Sequence, residues 1–262
     1  MCLIAWNWAP ASNTPLLLLA NRDEFYARPA APVHWWPGNT ILAGKDLQAG
    51  GTWLGISRSG RLAALTNYRG PDPLRADSPS RGALVADFLE NDTASGPFLH
   101  LLADQTKDYN PFNLLVFDGT TLMGLQSRAA QGGRVMEMAP GVGAVSNADF
   151  HTPWPKLTRL RTRLQMQLNQ GDLGSEDLLS LLHDRSTAQA SELPHTGIPL
   201  DLERLLSATF IASPGYGTRA CSVVRLHQTH AEFTEQSYDF NGLLDQQHQQ
   251  FHSRDPYPQI AP

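Results

Sequence analysis

Apolar residues open the chain in a near-continuous run from Cys2 to Trp8, give way to Pro10-Ala11-Ser12-Asn13, and resume from Pro15 to Ala20. Two apolar runs across a short polar turn predict a β-hairpin. With the turn centred between Ala11 and Ser12, antiparallel partners carry numbers summing to about 23, so Cys2 faces Asn21 within a slip of one or two. The hairpin alone therefore brings Asn21-Arg22-Asp23-Glu24 to the neighbourhood of Cys2. The pattern recurs: Thr52 to Ser57 and Arg61 to Asn67 flank Arg58-Ser59-Gly60, and Asn113 to Phe117 and Thr121 to Leu125 flank Asp118-Gly119-Thr120. Val142 to Ser146 reads as a short strand, and Cys221 to Leu226 with Glu232 to Tyr238 as a last hairpin.

Apolar positions three to four apart predict helices over Ser80 to Leu89 and Phe98 to Ala103, with a Gly-Pro break between them. Thr152-Pro153 opens a helix over residues 154–169, and Ser175 caps another to Leu182. Strands at both ends with helices between them imply packed sheets covered by helices, an α+β fold. One unit over residues 1–245 and a polar, proline-containing, loosely held tail over 246–262 complete the expectation.

At 262 residues, 41% hydrophobic and 17% charged, the chain is an ordinary globular protein with a substantial core. Its net charge of −5 leaves no basic footprint for nucleic acid. Two cysteines, Cys2 and Cys221, make no disulfide framework and point to a reducing compartment. The start lacks a basic leader region, and the run from Leu16 to Ala20 is far too short to span a bilayer. A cytoplasmic protein without an integral membrane segment is the expectation.

Cys2 changes the picture from fold to chemistry. Aminopeptidases generally remove an initiator Met before a residue this small, which would leave a thiol and a free α-amine on one residue. Their reference pKa values, roughly 8.5 and about 7.7–8.0, place a nucleophile and a base close to neutrality. The alternative is a small buried hydrophobe in an apolar strand.

Met1-Cys2, Asn21-Arg22-Asp23-Glu24, Gly51-Thr52-Trp53-Leu54-Gly55, Thr66-Asn67-Tyr68-Arg69, Ser146-Asn147 before Thr152-Pro153-Trp154, and Tyr216-Gly217-Thr218-Arg219 together resemble the NRDE family. This is the Transport and Golgi organisation protein 2 family, and the resemblance runs in order to about residue 240. It implies a four-layer αββα sandwich of two antiparallel sheets, similar to the N-terminal nucleophile hydrolases. More distantly, the pattern is similar to the choloylglycine hydrolase and penicillin V acylase group, which uses an N-terminal Cys, a nearby Arg and Asp, two Asn and a later Arg. The resemblance carries the nucleophile to Cys2, the two Asn to Asn67 and Asn147, and the late arginine to Arg219. Where those hydrolases have Arg-Asn-x-Asp this chain has Asn-Arg-Asp-Glu, so Arg22 with Asp23 or Glu24 fills shifted slots.

Such a set has a physical reason. A guanidinium beside the thiol favours thiolate, a carboxylate holds that guanidinium and the α-amine, and Asn amides supply donors to a tetrahedral oxyanion. Each residue also has a plainer reading. Asn67 and Asn147 suit strand-end turns, Arg22 with Asp23 or Glu24 suits a structural ion pair, and Arg219 suits a strand cap.

Trp35 and Trp36, in a proline-rich stretch beside His34, are candidates to roof a ligand pocket or to cover the core edge, with Tyr68 a further ligand-binding candidate. His227 and His230 have ligand-like spacing without a third ligand, so no metal is assigned. His248 and His252 are expected to be solvated. Two functional classes fit. One is an amidohydrolase or acyltransferase acting on a C–N or thioester bond, with no cofactor required. The other is a carrier of haem, or of lipid or acyl-CoA, which the family resemblance implies and in which haem would be bound cargo.

Overall fold

Polar turns between short apolar runs fold this chain into antiparallel ladders. The computed structural model describes residues 2–129, 132–171 and 173–253. The strands are β1 (Cys2–Trp8), β2 (Leu16–Phe25), β3 (Ala30–Trp35), β4 (Ile41–Asp46), β5 (Leu54–Ser57), β6 (Leu62–Asn67), β7 (Phe112–Phe117), β8 (Leu122–Ala129), β9 (Gly132–Glu137), β10 (Gly141–Val145), β11 (Ala212–Ser213), β12 (Tyr216–Leu226), β13 (His230–Asp239) and β14 (Gly242–His252). The helices are α1 (Arg81–Glu90), α2 (Ser95–Ala103), α3 (Pro155–Leu168), α4 (Ser175–Leu182) and α5 (Leu200–Leu205). One sheet runs β10-β1-β2-β12-β13-β14, with β11 beside β12; the other is a meander from β3 to β9.

The two-residue period of a strand sorts side chains onto two faces. On β1 and β2, Ile4, Trp6, Trp8, Leu16, Leu18 and Ala20 face the other sheet, where they meet Leu42, Ile56, Leu62 and Phe117. Leu3, Ala5, Leu17 and Leu19 face outward onto Leu157, Leu160, Leu178 and Leu179 of α3 and α4. The meander sheet likewise turns Ala63, Leu114 and Val116 outward onto Val85, Phe88 and Leu99 of α1 and α2. Both faces of the inner strands are covered, so they read as unbroken apolar runs. The result is the expected α+β sandwich of two antiparallel sheets between helix layers.

Three features differ from the sequence reading. The proline-rich stretch is a strand, β3, because it lies at the edge of its sheet with a register break between Ala31 and His34. An edge strand tolerates the missing N–H of Pro32. Residues 246–252, expected in the loose tail, belong to β14, which pairs along β13 from His230↔His252 to Asp239↔Gly242. This edge strand is almost wholly exposed, so its backbone ladder leaves no apolar pattern to read. The remainder of the expected tail, 254–262, lies outside the described residues. The first hairpin is also shifted by one residue: Cys2 pairs with Arg22 and Leu3 with Asn21.

Candidate functional site

A slip of one residue moves every side chain to the opposite face, and here it decides the site. Cys2 follows the even-numbered residues of β1 to the side between the sheets, and its cross-strand partner Arg22 shares that face. Asn21 and Asp23 point to the helix side. Asn21 is fully buried there, its Nδ2 donating to the carbonyls of Leu182 (2.9 Å) and Thr209 (2.8 Å).

Cys2 opens onto a cavity of about 560 Å³, within the size range of small-molecule sites. Around it stand Arg22, Glu24 and Arg28 from β2 and its loop, Asp46, Trp53, Asn67, Arg81 from α1, and Arg219. Burial pushes the Cys2 thiol up, and Asp23 and Glu24 add to that while Arg22 opposes it.

The carboxylate partner of Arg22 is neither of its sequence neighbours. Arg22 Nη2 lies 3.4 Å from Asp46 Oδ2, and Arg28 Nε donates to the same oxygen at 2.7 Å. This corrects the expected pairing with Asp23 or Glu24. Asp23 is on the wrong face, and Glu24 Oε1 accepts from the N–H of Phe25 (2.9 Å). Burial alone would raise Asp46, but hydrogen bonds from Arg28 and the Ala49 N–H and the charges of both arginines hold it below the usual carboxylate value.

Asp23 occupies a drier setting. Its Oδ1 accepts from Thr218 Oγ1 at 2.8 Å, and its Oδ2 is 3.8 Å from Lys156 Nζ, an ammonium only 1% exposed. Because β1 and β2 are antiparallel, moving back from Cys2 moves forward from Arg22. The backbone nitrogen of Cys2 therefore lies toward Asp23.

The two asparagines divide the work expected of both. Asn67 ends β6 at the cavity wall. Asn147 is fully buried behind it, with Nδ2 donating to the Asn67 carbonyl (2.9 Å) and Oδ1 accepting from Ser146 Oγ (3.2 Å). It ties the two sheets together and holds Asn67, because its amide N–H is turned away from the cavity. Arg219 sits at a break in register between Thr218 and Ala220, where a bulge re-aims a side chain. Its Nη1 donates to the carbonyls of Phe25, Tyr26 and Arg28, each at 3.1 Å, and its Nε to that of Tyr238 (3.0 Å). It clamps the chain leaving β2.

The aromatic candidates lie elsewhere. Trp35 packs against Phe251 at 4.8 Å with the Arg58 guanidinium over its ring at 3.8 Å, and Trp36 Nε1 donates to the Ala43 carbonyl (3.3 Å). They cover the core edge rather than roof the cavity, since β3 carries them to the far edge of the meander sheet. Tyr68 lines a separate, shallower cavity with Arg69, Arg128 and Trp154. The aromatic residues at the Cys2 cavity are Trp53, from Gly51-Thr52-Trp53-Leu54-Gly55, and Tyr238 of β13. A Cβ on Gly51 would collide with the backbone of Gly82, so that glycine lets α1 approach and present Arg81.

Sequence reasoning also missed Asp46, Lys156, Arg81 and Glu235. Glu235, wholly buried on β13, accepts from the Val33 N–H (2.8 Å) and Ser222 Oγ (3.3 Å), and burial pushes its carboxyl up to about 7. Nothing local marks these residues, because each reaches the site from another element. Glu232 lies beside His227 and His230 across the last hairpin, a third potential ligand atom that linear spacing hid. Its carboxylate is already 3.6 Å from Arg225. His248 and His252 are exposed as expected, though both lie on β14 and His248 Nδ1 bonds Thr234 Oγ1 at 2.9 Å.

Two antiparallel sheets packed face to face between helices, with a strand-initial cysteine on an inner strand, define the N-terminal nucleophile hydrolase fold. Conjugated bile acid hydrolase from Clostridium perfringens superposes with a TM-score of 0.52 at 9% identity, covering 95% of this chain and 92% of that one. The N-acylethanolamine-hydrolyzing acid amidase ortholog of Caenorhabditis elegans gives 0.53 at 11% identity, covering 85% and 92%. At such identities the likeness establishes the fold. Sequence comparison is more specific. The Transport and Golgi organization protein 2 homolog of Bos taurus is 35% identical over 259 residues, covering 90% of this chain and 93% of the relative. The human homolog is 34% identical over 258 residues with the same coverage, and the Drosophila melanogaster protein 28% over 234. The family profile for Transport and Golgi organisation 2 matches residues 1–239, and this chain belongs to that family.

Proposed function

We propose that this protein is an N-terminal-cysteine amidohydrolase or acyltransferase acting on an amide or thioester of a small molecule. The observation that supports it is the meeting of Cys2, Arg22 and Asn67 at one cavity of ligand size. After Met1 removal, the Cys2 thiol passes its proton to the α-amine as sulfur attacks the acyl carbon. The tetrahedral oxyanion forms near the Asn67 amide, a donor of the kind that stabilises such charge. The ammonium then returns its proton to the leaving nitrogen or thiolate, leaving an acyl-thioester on Cys2. Attack by water releases the carboxylic acid; attack by another nucleophile completes transfer. Arg22, fixed by Asp46, opposes the burial that keeps the thiol neutral.

A fluorescent acylating probe on protein whose intact mass lacks Met1 tests this. Labelling maps to residue 2 and disappears in Cys2→Ser; a processed, accessible thiol that takes no label ends the reading.

One feature is shared with the second class: burial pushes the Cys2 thiol above its ordinary value, which suits a binding cavity as well as a resting enzyme. In that reading the same space holds haem, or a lipid or acyl-CoA chain, in a cytoplasmic carrier. Among the described residues no imidazole lines the cavity, so a haem iron there would draw on Cys2. Unchanged absorbance on titrating haem to tens of micromolar discards haem as cargo.

A further inference from the structure

Lys156 is a buried cation near Cys2 that the proposed chemistry does not use, and its setting is unfavourable enough to need a reason. Its ammonium is 1% exposed, lies 3.8 Å from Asp23 and makes no hydrogen bond among the described residues. Burying an ammonium this way costs several kcal/mol, and apolar residues in place of both Lys156 and Asp23 would usually match or exceed the pair in stability.

Geometry supplies the reason. Lys156, on the first turn of α3, reaches the helix side of the Asp23 carboxylate. The backbone nitrogen of Cys2 lies toward the same carboxylate by the register of β1 and β2. Around Lys156 the charged and titratable groups are Asp23 on β2, Cys2 on β1, Arg69 after β6 and Glu203 on α5. Arg69 and Glu203 pair with each other at 2.9 Å. Around Cys2 they are Asp23, Arg22 and Glu24 on β2, Arg81 on α1 and Tyr216 on β12, which also faces Asp23 and Arg69. Once Met1 is gone, two cationic groups share Asp23.

We propose that Lys156 is a positioning residue for the mature N-terminus: its ammonium, set across Asp23 from the Cys2 amine, keeps that amine a free base able to take the thiol proton. The inference rests on the hydrolase reading, in which the amine is the base. A like charge in a buried site disfavours a second proton, and an ammonium beside a reactive amine is one recognised means of activating it. Asp23 orients both groups, and Lys156 stops it from simply locking the α-ammonium in place.

The chain holds two cysteines and three lysines, Lys45, Lys107 and Lys156, so labelling with carbon-13 cysteine or lysine gives few signals. In processed protein, the Cys2 Cα signal follows the amine through its titration. Its midpoint should lie about one pH unit or more higher in Lys156→Met than in wild type. The Lys156 Cε signal of the wild type, which needs no variant to fold, should report an ammonium at neutral pH. Equal midpoints in the two folded proteins, or an uncharged Lys156 at neutral pH, overturn the proposal. A Lys156-dependent midpoint with no acylation of Cys2 upholds it and sinks the hydrolase reading. Acylation without the Lys156 dependence does the reverse, and a retained Met1 ends both.

Discussion

Two ion pairs stand on opposite faces of β2 at the same end of the sheet, and they are built in opposite ways. Arg22 and Asp46 meet at 3.4 Å with side chains 11% and 18% exposed. Asp46 also accepts from Arg28 and from the N–H groups of Gln48 and Ala49, at 3.0 Å each. Lys156 and Asp23 meet at 3.8 Å with side chains 1% and 0% exposed, and Lys156 makes no hydrogen bond among the described residues. The wet pair is well satisfied and holds an arginine at the cavity for little energetic penalty. The dry pair is desolvated and loosely engaged, an arrangement that well-packed apolar residues usually match or exceed in stability. Stability therefore does not explain the dry pair.

The largest test of that contrast breaks the dry pair by one partner. Lys156→Met should destabilise the fold by up to about 3–5 kcal/mol, because it removes the ammonium that faces a buried carboxylate. Asp23→Asn combined with Lys156→Met should recover most of the loss. Urea unfolding monitored by tryptophan fluorescence reads both values. If the single variant is as stable as wild type, Lys156 carries no charge in the fold and the contrast collapses.

Glu235 sharpens the comparison from the cavity side, since Arg22 is close enough to lower its carboxyl yet burial wins. Its folded pKa is raised from 4.5 to about 7. The native state therefore holds a proton that the unfolded chain releases, and stability from this group is complete below about 4.5 and lost as pH rises to about 7. The full swing is at most about 3 kcal/mol. Glu235→Gln keeps an acceptor for the Val33 N–H and removes the titration. The Tm difference, wild type minus variant, should grow as pH falls from 7 to 5. A difference flat across that window means the carboxyl ionises as it would in water.

Much of the fold was legible because paired runs of apolar residues announce hairpins. β1, α4 and the hairpin around Gly60 lie within a residue or two of their expected bounds, and the hairpin around Gly119 differs only in that β8 runs on to Ala129. β14 was not legible, because an exposed edge strand is held by backbone bonds that composition does not report. The site was legible in its members and not in its pairings. Cys2, Arg22, Asn67 and Arg219 do gather at one cavity. One residue of register separated Arg22 from Asp23, however, and hydrophobic pattern fixes register only to within such a slip when both faces of a strand are apolar. Asp46 and Lys156 come from the other sheet and from a helix, so no linear motif joins them to Arg22 or Asp23.

Removal of the Asn67 amide at the cavity wall comes next in size. Asn67→Ala should slow Cys2 acylation about a hundredfold, as loss of one oxyanion donor does, with little change in binding of an unreactive analogue. Asn147→Ala acts at one remove, by releasing the Asn67 carbonyl, and should lower stability as well as rate. If both variants lose rate equally at unchanged stability, Asn147 reaches the substrate directly and the division between the two residues is wrong.

The smallest effect belongs to the wet pair, and it separates the two faces most cleanly. Asp46→Asn keeps an oxygen acceptor beside arginines that reach the open cavity, so the fold should lose less than it does in Lys156→Met. The reactivity of Cys2 should move the other way. With Asp46 neutral, the positive charge of Arg22 and Arg28 at the cavity is less offset, thiolate is favoured, and alkylation of Cys2 at neutral pH should quicken severalfold. Arg22→Gln should slow it. A variant that is less stable and also more reactive is the signature of charges that tune a site, whereas an ion pair serving only the fold would move stability alone. Should Asp46→Asn cost as much stability as Lys156→Met and leave the thiol unchanged, the two faces of β2 are equivalent and the cavity owes nothing to its arginines.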